Sequence, residues 1–178
     1  MRIIFIGGPG TGKSTVGKRL AGDLGWPWIS SGEILRESKE PWVIERLKTA
    51  QLFDDEMVTQ LVLSRLDETE NAIIDGFPRT LKQAENMVER GYPADILVDL
   101  SVPIEEAIAR LVERGRDQDT PEIVRQRWDE FNETKAQIEA YLGGNGVRIV
   151  AIDGVGTQEE VYQRAVAQIH EAMEQLNQ

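Results

Sequence analysis

Gly7-Gly8-Pro9-Gly10-Thr11-Gly12-Lys13-Ser14 is the stretch from which the fold can be read. It fits G-x-x-x-x-G-K-[ST], follows the apolar run Ile3 to Ile6, and opens a segment with Val16, Leu20 and Leu24 at helical spacing. Strand, glycine-rich turn and helix in that order make a phosphate cradle. The glycines let successive backbone N–H groups turn inward, and the helix N-terminus adds partial positive charge. Lys13 then reaches the β and γ oxygens of a polyphosphate, and Ser14 is the expected Mg²⁺ ligand. Gly8, Pro9, Gly10, Thr11, Gly12, Lys13, Ser14 and Thr15 are the candidate contacts of this loop.

Outward from the loop, five apolar runs are flanked by turn residues: Ile3 to Ile6, Trp26 to Ile29, Ala72 to Ile74, Ile96 to Leu100 and Val147 to Ile152. They are continuous rather than alternating, the pattern of strands covered on both faces. Helical spacing lies between them. Ile104, Ala107, Ile108, Leu111 and Val112 form one stripe, and Val124, Trp128, Phe131, Ile138 and Leu142 a longer seam. Thr120-Pro121 reads as an N-cap with proline at the first helical position, and Gly143-Gly144 as that helix's stop. A last helix is expected from Thr157 to about Leu176. The alternation predicts an α/β protein, a three-layer α/β/α fold with a five-stranded parallel sheet in one domain, 1–178. The helical stretch Ser31 to Asp67 exceeds one crossover helix, which implies an inserted subdomain.

Composition narrows the function. Twenty Lys and Arg against 31 Asp and Glu give a net charge of −11, which repels nucleic acid at long range. A small anion can be held only where the few cations are concentrated. Without Cys there is no disulfide framework or thiolate zinc site, and a single His, His170, cannot build an imidazole cluster or a hydrolytic triad. His170 reads as a solvated helix residue, and Trp26, Trp28, Trp42 and Trp128 as packing residues rather than a base-stacking cage. No apolar run approaches the roughly 20 residues that span a bilayer. The apolar start is also too short for a secretory leader, so a cytoplasmic protein without a membrane partner is expected.

A phosphate loop does not separate switches, motors and kinases. The second motif, Asn71 to Thr80, puts Asp75 at the end of a buried strand, where a carboxylate can hold Mg²⁺ through water, with Arg79 just beyond. Asp75-Gly76-Phe77-Pro78-Arg79-Thr80, with Gln83 shortly after, resembles the signature of adenylate kinases within the nucleoside monophosphate kinase family. Ser30 to Arg36 resembles that family's acceptor-binding segment, Gln51 to Glu56 the end of its acceptor subdomain, and Ile152-Asp153-Gly154 its adenine-side loop. Arg110 and Arg114 stand where the family has donor-side arginines, and Gly115-Arg116 with Arg127 match a later pair. The resemblance covers nearly the whole chain.

What it implies is the reversible reaction ATP + AMP to two ADP, by Mg²⁺-assisted in-line phosphoryl transfer. ATP would lie on the loop with Arg110, Arg114 and Gly156. AMP would meet Ser31, Arg36, Gly76, Phe77, Arg79, Gln83, Arg116 and Arg127. The catalytic cations would be Lys13, Arg79, Arg110, Arg114, Arg116 and Arg127, and Mg²⁺ would sit at Ser14 and, through water, Asp75, with no zinc. The chemistry agrees with the residues: phosphoryl transfer gathers negative oxygens, so catalysis is alignment plus charge neutralisation. Arginine suits it because its planar fork pairs bidentately with phosphate. A nucleotide phosphate is already an anionic nucleophile, and no general base is needed.

Gln83 could read an adenine edge, and Thr80 follows the adenylate pattern rather than the Asn common in pyrimidine kinases, so AMP is favoured. Ser31, in place of the family's usual Thr, is neutral. A UMP/CMP or other monophosphate kinase stays open as the alternative. A nucleotide switch is remoter: Asn132-Glu133-Thr134-Lys135 is not a guanine-reading Asn-Lys-x-Asp, and Asp153 to Gly156 matches D-x-x-G only at the last strand. The chain departs from the family in Lys13-Ser14-Thr15 for Lys-Gly-Thr, and in Asp117-Gln118-Asp119 for an acidic pair. Only Gly115 separates Arg114 from Arg116, so the lid, about 114–118, is vestigial; the acceptor insertion, about 30–54, is shortened. A monomer is expected, with an oligomer left open.

Overall fold

Successive residues of a strand point to opposite faces, and in β1 (Arg2–Ile6) both faces are covered: Ile3 and Phe5 join one core, Ile4 and Ile6 another. The computed structural model describes residues 1–37, 40–48, 53–115 and 119–176. After β1 come α1 (Lys13–Leu24), β2 (Trp28–Ser30), α2 (Ser31–Glu37), α3 (Pro41–Lys48), α4 (Asp55–Leu66) and β3 (Ala72–Asp75). Then follow α5 (Leu81–Glu89), β4 (Ile96–Ser101), α6 (Ile104–Arg114), α7 (Pro121–Gly144), β5 (Arg148–Asp153) and α8 (Gln158–Leu176). The strands form one all-parallel sheet in the order β2-β3-β1-β4-β5.

Helices cover the two sides of that sheet. Val58, Val62 and Leu66 of α4, Ala84 and Met87 of α5, and Ile138 and Leu142 of α7 pack on the Ile4 and Ile6 side. Val16 and Leu20 of α1, with Val161, Ala165, Ile169 and Ala172 of α8, pack on the Ile3 and Phe5 side. Each fully buried aliphatic side chain contributes roughly 1.5–3 kcal/mol. A third, smaller cluster (Val102, Ala107, Ile108, Leu111, Val124 and Trp128) lies between α6 and α7, above the carboxyl end of the sheet. Because β1 sits where the strand order reverses, a crevice opens there, at the carboxyl ends of the strands.

The expected strands are all present, with two corrections. The second begins at Trp28, not Trp26, because Gly25 closes α1 in the left-handed region and the Trp26 N–H donates back to the Ala21 carbonyl at 2.9 Å. A donor used to end a helix cannot join a ladder. β5 is covered on one face only: Val150 and Ile152 are buried with the α8 residues, while Arg148, Ile149, Ala151 and Asp153 are exposed, since helix packing reaches only the Val150 and Ile152 face. α7 ends at Gly144, where the sequence puts its stop, and the turn follows at Asn145 and Gly146, the latter at φ +86°. Thr120 caps α7 as expected, accepting from the Ile123 N–H at 3.4 Å, with Pro121 first in the helix. His170 is exposed, and no helix among the described residues is long and apolar enough to cross a membrane.

Candidate active site

The loop between β1 and α1 uses glycine where other residues would be strained: φ is +84° at Gly10 and +95° at Gly12, which caps α1. Its interior is hydrogen-bonded. Thr11 Oγ1 donates to the Gly8 carbonyl at 3.0 Å, and Lys13 Nζ to the same oxygen at 3.1 Å. Its exterior is clamped by α6 and α7. Arg110 donates to the Thr11 carbonyl at 3.4 Å and to the Gly154 carbonyl at 3.0 Å, and it pairs with Glu106. The Trp128 indole N–H donates to the Pro9 carbonyl at 2.9 Å.

Beside the loop, Ser14 Oγ donates to Asp75 Oδ2 at 2.6 Å, with Ser30 Oγ 3.5 Å from the same oxygen. Asp75 Oδ1 is buried with no hydrogen-bond partner. An orphaned carboxylate oxygen beside a hydroxyl, at the mouth of an anion cradle, is a donor set that suits a hard divalent cation.

The crevice has two lobes. The larger, about 450 Å³, is lined by the loop together with Arg110, Arg114 and Gly156. The smaller, about 180 Å³, has apolar walls from Leu35, Phe53, Val58 and Phe131, with Ser31 and Gln83 as polar groups. Lys13, Arg36, Arg79 and Arg127 line both lobes and so mark the seam between them. Among the described residues none of these four forms an ion pair. Burial, opposed by Asp75 and helped by Arg79, Arg127 and Arg114, pushes the Lys13 ammonium down to about 8. Burial and then Arg79 push Arg127 down to about 10. Arg79 is open to water in the cleft yet walled by protein, and burial lowers it, against Asp75 and with Arg36. Cations that repel one another and are not neutralised by a carboxylate are set to receive an anion.

Around Gly76 the two edges of the smaller lobe meet. The Gly76 carbonyl accepts from Ser31 Oγ at 2.5 Å and from Arg79 Nε at 2.8 Å. Gln83 is nine-tenths buried or more; its amide oxygen accepts from the Arg79 N–H at 2.8 Å and its nitrogen donates to Asp55 at 2.9 Å. One N–H and one lone pair of that amide remain to face a ligand. Arg114, the last residue of α6, grips the buried Asp119 with two bonds of 2.9 Å.

One expected side chain is not brought to the cleft. The Phe77 side chain is fully buried in the core, and Pro78 lines the lobe in its place. Arg116 lies outside the described residues, as do Asp117, Gln118, Gln51 and Leu52. Sequence reasoning missed Ser30, Trp128, Glu130, Phe131 and Thr134; the Thr134 hydroxyl donates to the Arg79 carbonyl at 3.1 Å. A usable signal existed. Glu130, Phe131 and Thr134 stand three, four and seven residues after Arg127 and therefore share its helical face.

Comparison with known proteins adds to this geometry. The family model described as adenylate kinase matches residues 5–146. The chain is similar to the adenylate kinase of Maricaulis maris, at 33% identity over 96% of this chain and 100% of that one. It is likewise similar to those of Mycobacteroides abscessus, at 34% over 92% and 96%, and Thermus thermophilus, at 36% over 91% and 93%. Nearly all of each relative is matched.

Proposed function

The chain belongs to the adenylate kinase family and is a nucleoside monophosphate kinase, and on that premise we propose that it moves the γ-phosphoryl of ATP to AMP across the seam between the two lobes. The observation that carries this reading is the set of four cations that both lobes share. A site for one nucleotide needs its cations at one end; a site for two, phosphate to phosphate, needs them in the middle. The donor occupies the larger lobe, with its phosphates on the loop amides and Lys13. The acceptor base enters the smaller lobe between Phe53 and Phe131, where the free N–H and lone pair of Gln83 suit an adenine edge. The acceptor-binding insertion, about 30–54, then holds α2 and α3, and the vestigial lid, about 114–118, lies between α6 and α7.

In the transfer, an AMP phosphate oxygen forms a bond to the γ-phosphorus as the bond from that phosphorus to the β–γ bridging oxygen breaks, leaving ADP on both sides. Arg79 and Arg127 neutralise charge on the transferred group, while Lys13 leaves the Gly8 carbonyl for the β and γ oxygens. Ser14 and Asp75 would hold Mg²⁺, which supplies charge neutralisation and orients the donor phosphates. Arg36 orients the acceptor phosphate. A cysteine-free chain acting on cellular nucleotides fits the cytoplasm.

The test is ADP alone with Mg²⁺, which should yield ATP and AMP, followed by AMP, CMP, UMP, dTMP and GMP as competing acceptors. Failure of the first reaction alongside efficient use of UMP or CMP would overturn the adenine reading and leave a kinase.

A further inference from the structure

We infer that Trp128 is a positioning residue for the donor phosphate loop, and that Gly8 is glycine because this indole occupies the space beside it. The inference rests on the donor reading of the larger lobe. Gly8 lies outside the left-handed region, so its backbone would accept alanine. A Cβ there would nevertheless meet three indole atoms of Trp128 at 2.5, 2.7 and 2.8 Å, and these are its nearest neighbours. A ring system held on a helix cannot swing aside as the tip of a flexible side chain can. Trp128 is itself held: 9% exposed, it packs with Val124 and Leu111 and meets the Phe131 ring edge-on at 6.4 Å.

The second half of the interlock is polar. The indole N–H holds the Pro9 carbonyl at 2.9 Å. In a planar trans peptide the following N–H points opposite to that carbonyl, so the same bond fixes the direction of the Gly10 N–H. Gly10 lines the donor lobe. Were the carbonyl free to rotate inward, an oxygen would face the phosphates where a donor belongs. Arg127 precedes Trp128 in α7 and lines the seam, so one helical turn carries both a transfer-site cation and the anchor of the phosphate cradle.

Four variants test this: Trp128→Phe, which keeps a ring and removes the N–H; Trp128→Leu; Gly8→Ala; and Gly8→Ala with Trp128→Leu. ATP affinity is measured by calorimetry, beside KM for each substrate and melting temperature. Trp128→Phe should raise the KM for ATP roughly three- to tenfold, as for one lost hydrogen bond, while the KM for AMP stays within about twofold. Gly8→Ala should weaken ATP binding more, by about tenfold or beyond, and the added Trp128→Leu should bring affinity back to that of Trp128→Leu alone. A purely structural tryptophan would lower the melting temperature and move neither ratio. The inference is overturned if Trp128→Phe shifts both KM values equally or neither, or if Gly8→Ala is as harmful in the Trp128→Leu background as beside the indole. Absence of ATP binding by the unaltered protein would instead overturn the donor reading.

Discussion

On the donor side of the cleft the phosphate loop is held from within by Thr11 and from outside by Arg110 and Trp128, on two helices that share a buried cluster. On the acceptor side the wall is α2, of seven residues, and α3, of eight, with Trp42 49% and Ile44 43% exposed on α3. Helices so short have little stability of their own and depend on what they pack against. The contrast teaches where the two substrates' binding energies go. On the proposed assignment of the lobes, a donor would meet a cradle already braced, whereas an acceptor would meet a wall of short helices, and ordering that wall would take part of its binding energy.

The strongest challenge to that contrast is the seam, which belongs to both sides. Arg79→Ala should lower kcat by on the order of a hundredfold or more, the effect of losing a transition-state electrostatic group. If it raised one KM and left kcat intact, the seam would be part of one lobe. Arg36→Ala sharpens the contrast from the acceptor side: the KM for AMP should rise about tenfold, as for a lost charge-assisted bond, with kcat and the KM for ATP nearly unchanged. A shift in the ATP constant alone would reverse the two lobes.

Thr134→Ala removes the 3.1 Å bond from α7 to the Arg79 carbonyl and should cost about threefold in kcat, read in steady-state kinetics beside an unchanged melting temperature. The smallest effect is expected at Trp42→Ala, within roughly 0.5 kcal/mol of the parent in thermal melts, since that ring is half exposed. Ile138→Ala, at a site 1% exposed, should by contrast cost roughly 2–5 kcal/mol. A large loss at Trp42 would mean that the acceptor wall is built as firmly as the donor loop.

Legibility in the sequence follows contiguity. The loop Gly7 to Ser14 and the segment Asp75 to Arg79 each place their functional groups within a short run of chain, so local spacing carries the chemistry. Trp128 cannot be recognised that way. Its partner Pro9 is 119 residues away, and a tryptophan in an apolar helical seam looks the same whether it packs a core or braces a loop. Glu130, Phe131 and Thr134 are within reach through their spacing from Arg127, but the apolar seam around them reads as packing alone. β5 is misjudged because an apolar run does not tell whether helices cover both faces of its strand; that depends on where distant helices pack, and the other edge strand, β2, has buried residues on both. Phe77 follows its motif into a binding role, whereas its bulk belongs to the core under Gly76 and Arg79.

The one-sided covering of β5 also bears on how the protein behaves when concentrated. A six-residue strand that ends a parallel sheet, with Ile149 39% exposed, offers a template to which a sixth strand from another molecule could add. The chain opposes this with ions at both ends of the strand, Arg148 and Asp153, and with a net charge of −11 that keeps copies apart. Such repulsion weakens as salt shortens its range and vanishes near the isoelectric point of about 4.6. Mild acid and high ionic strength are therefore the conditions under which this protein would lose solubility first, through an edge strand that supplies none of the four cations shared by the two lobes.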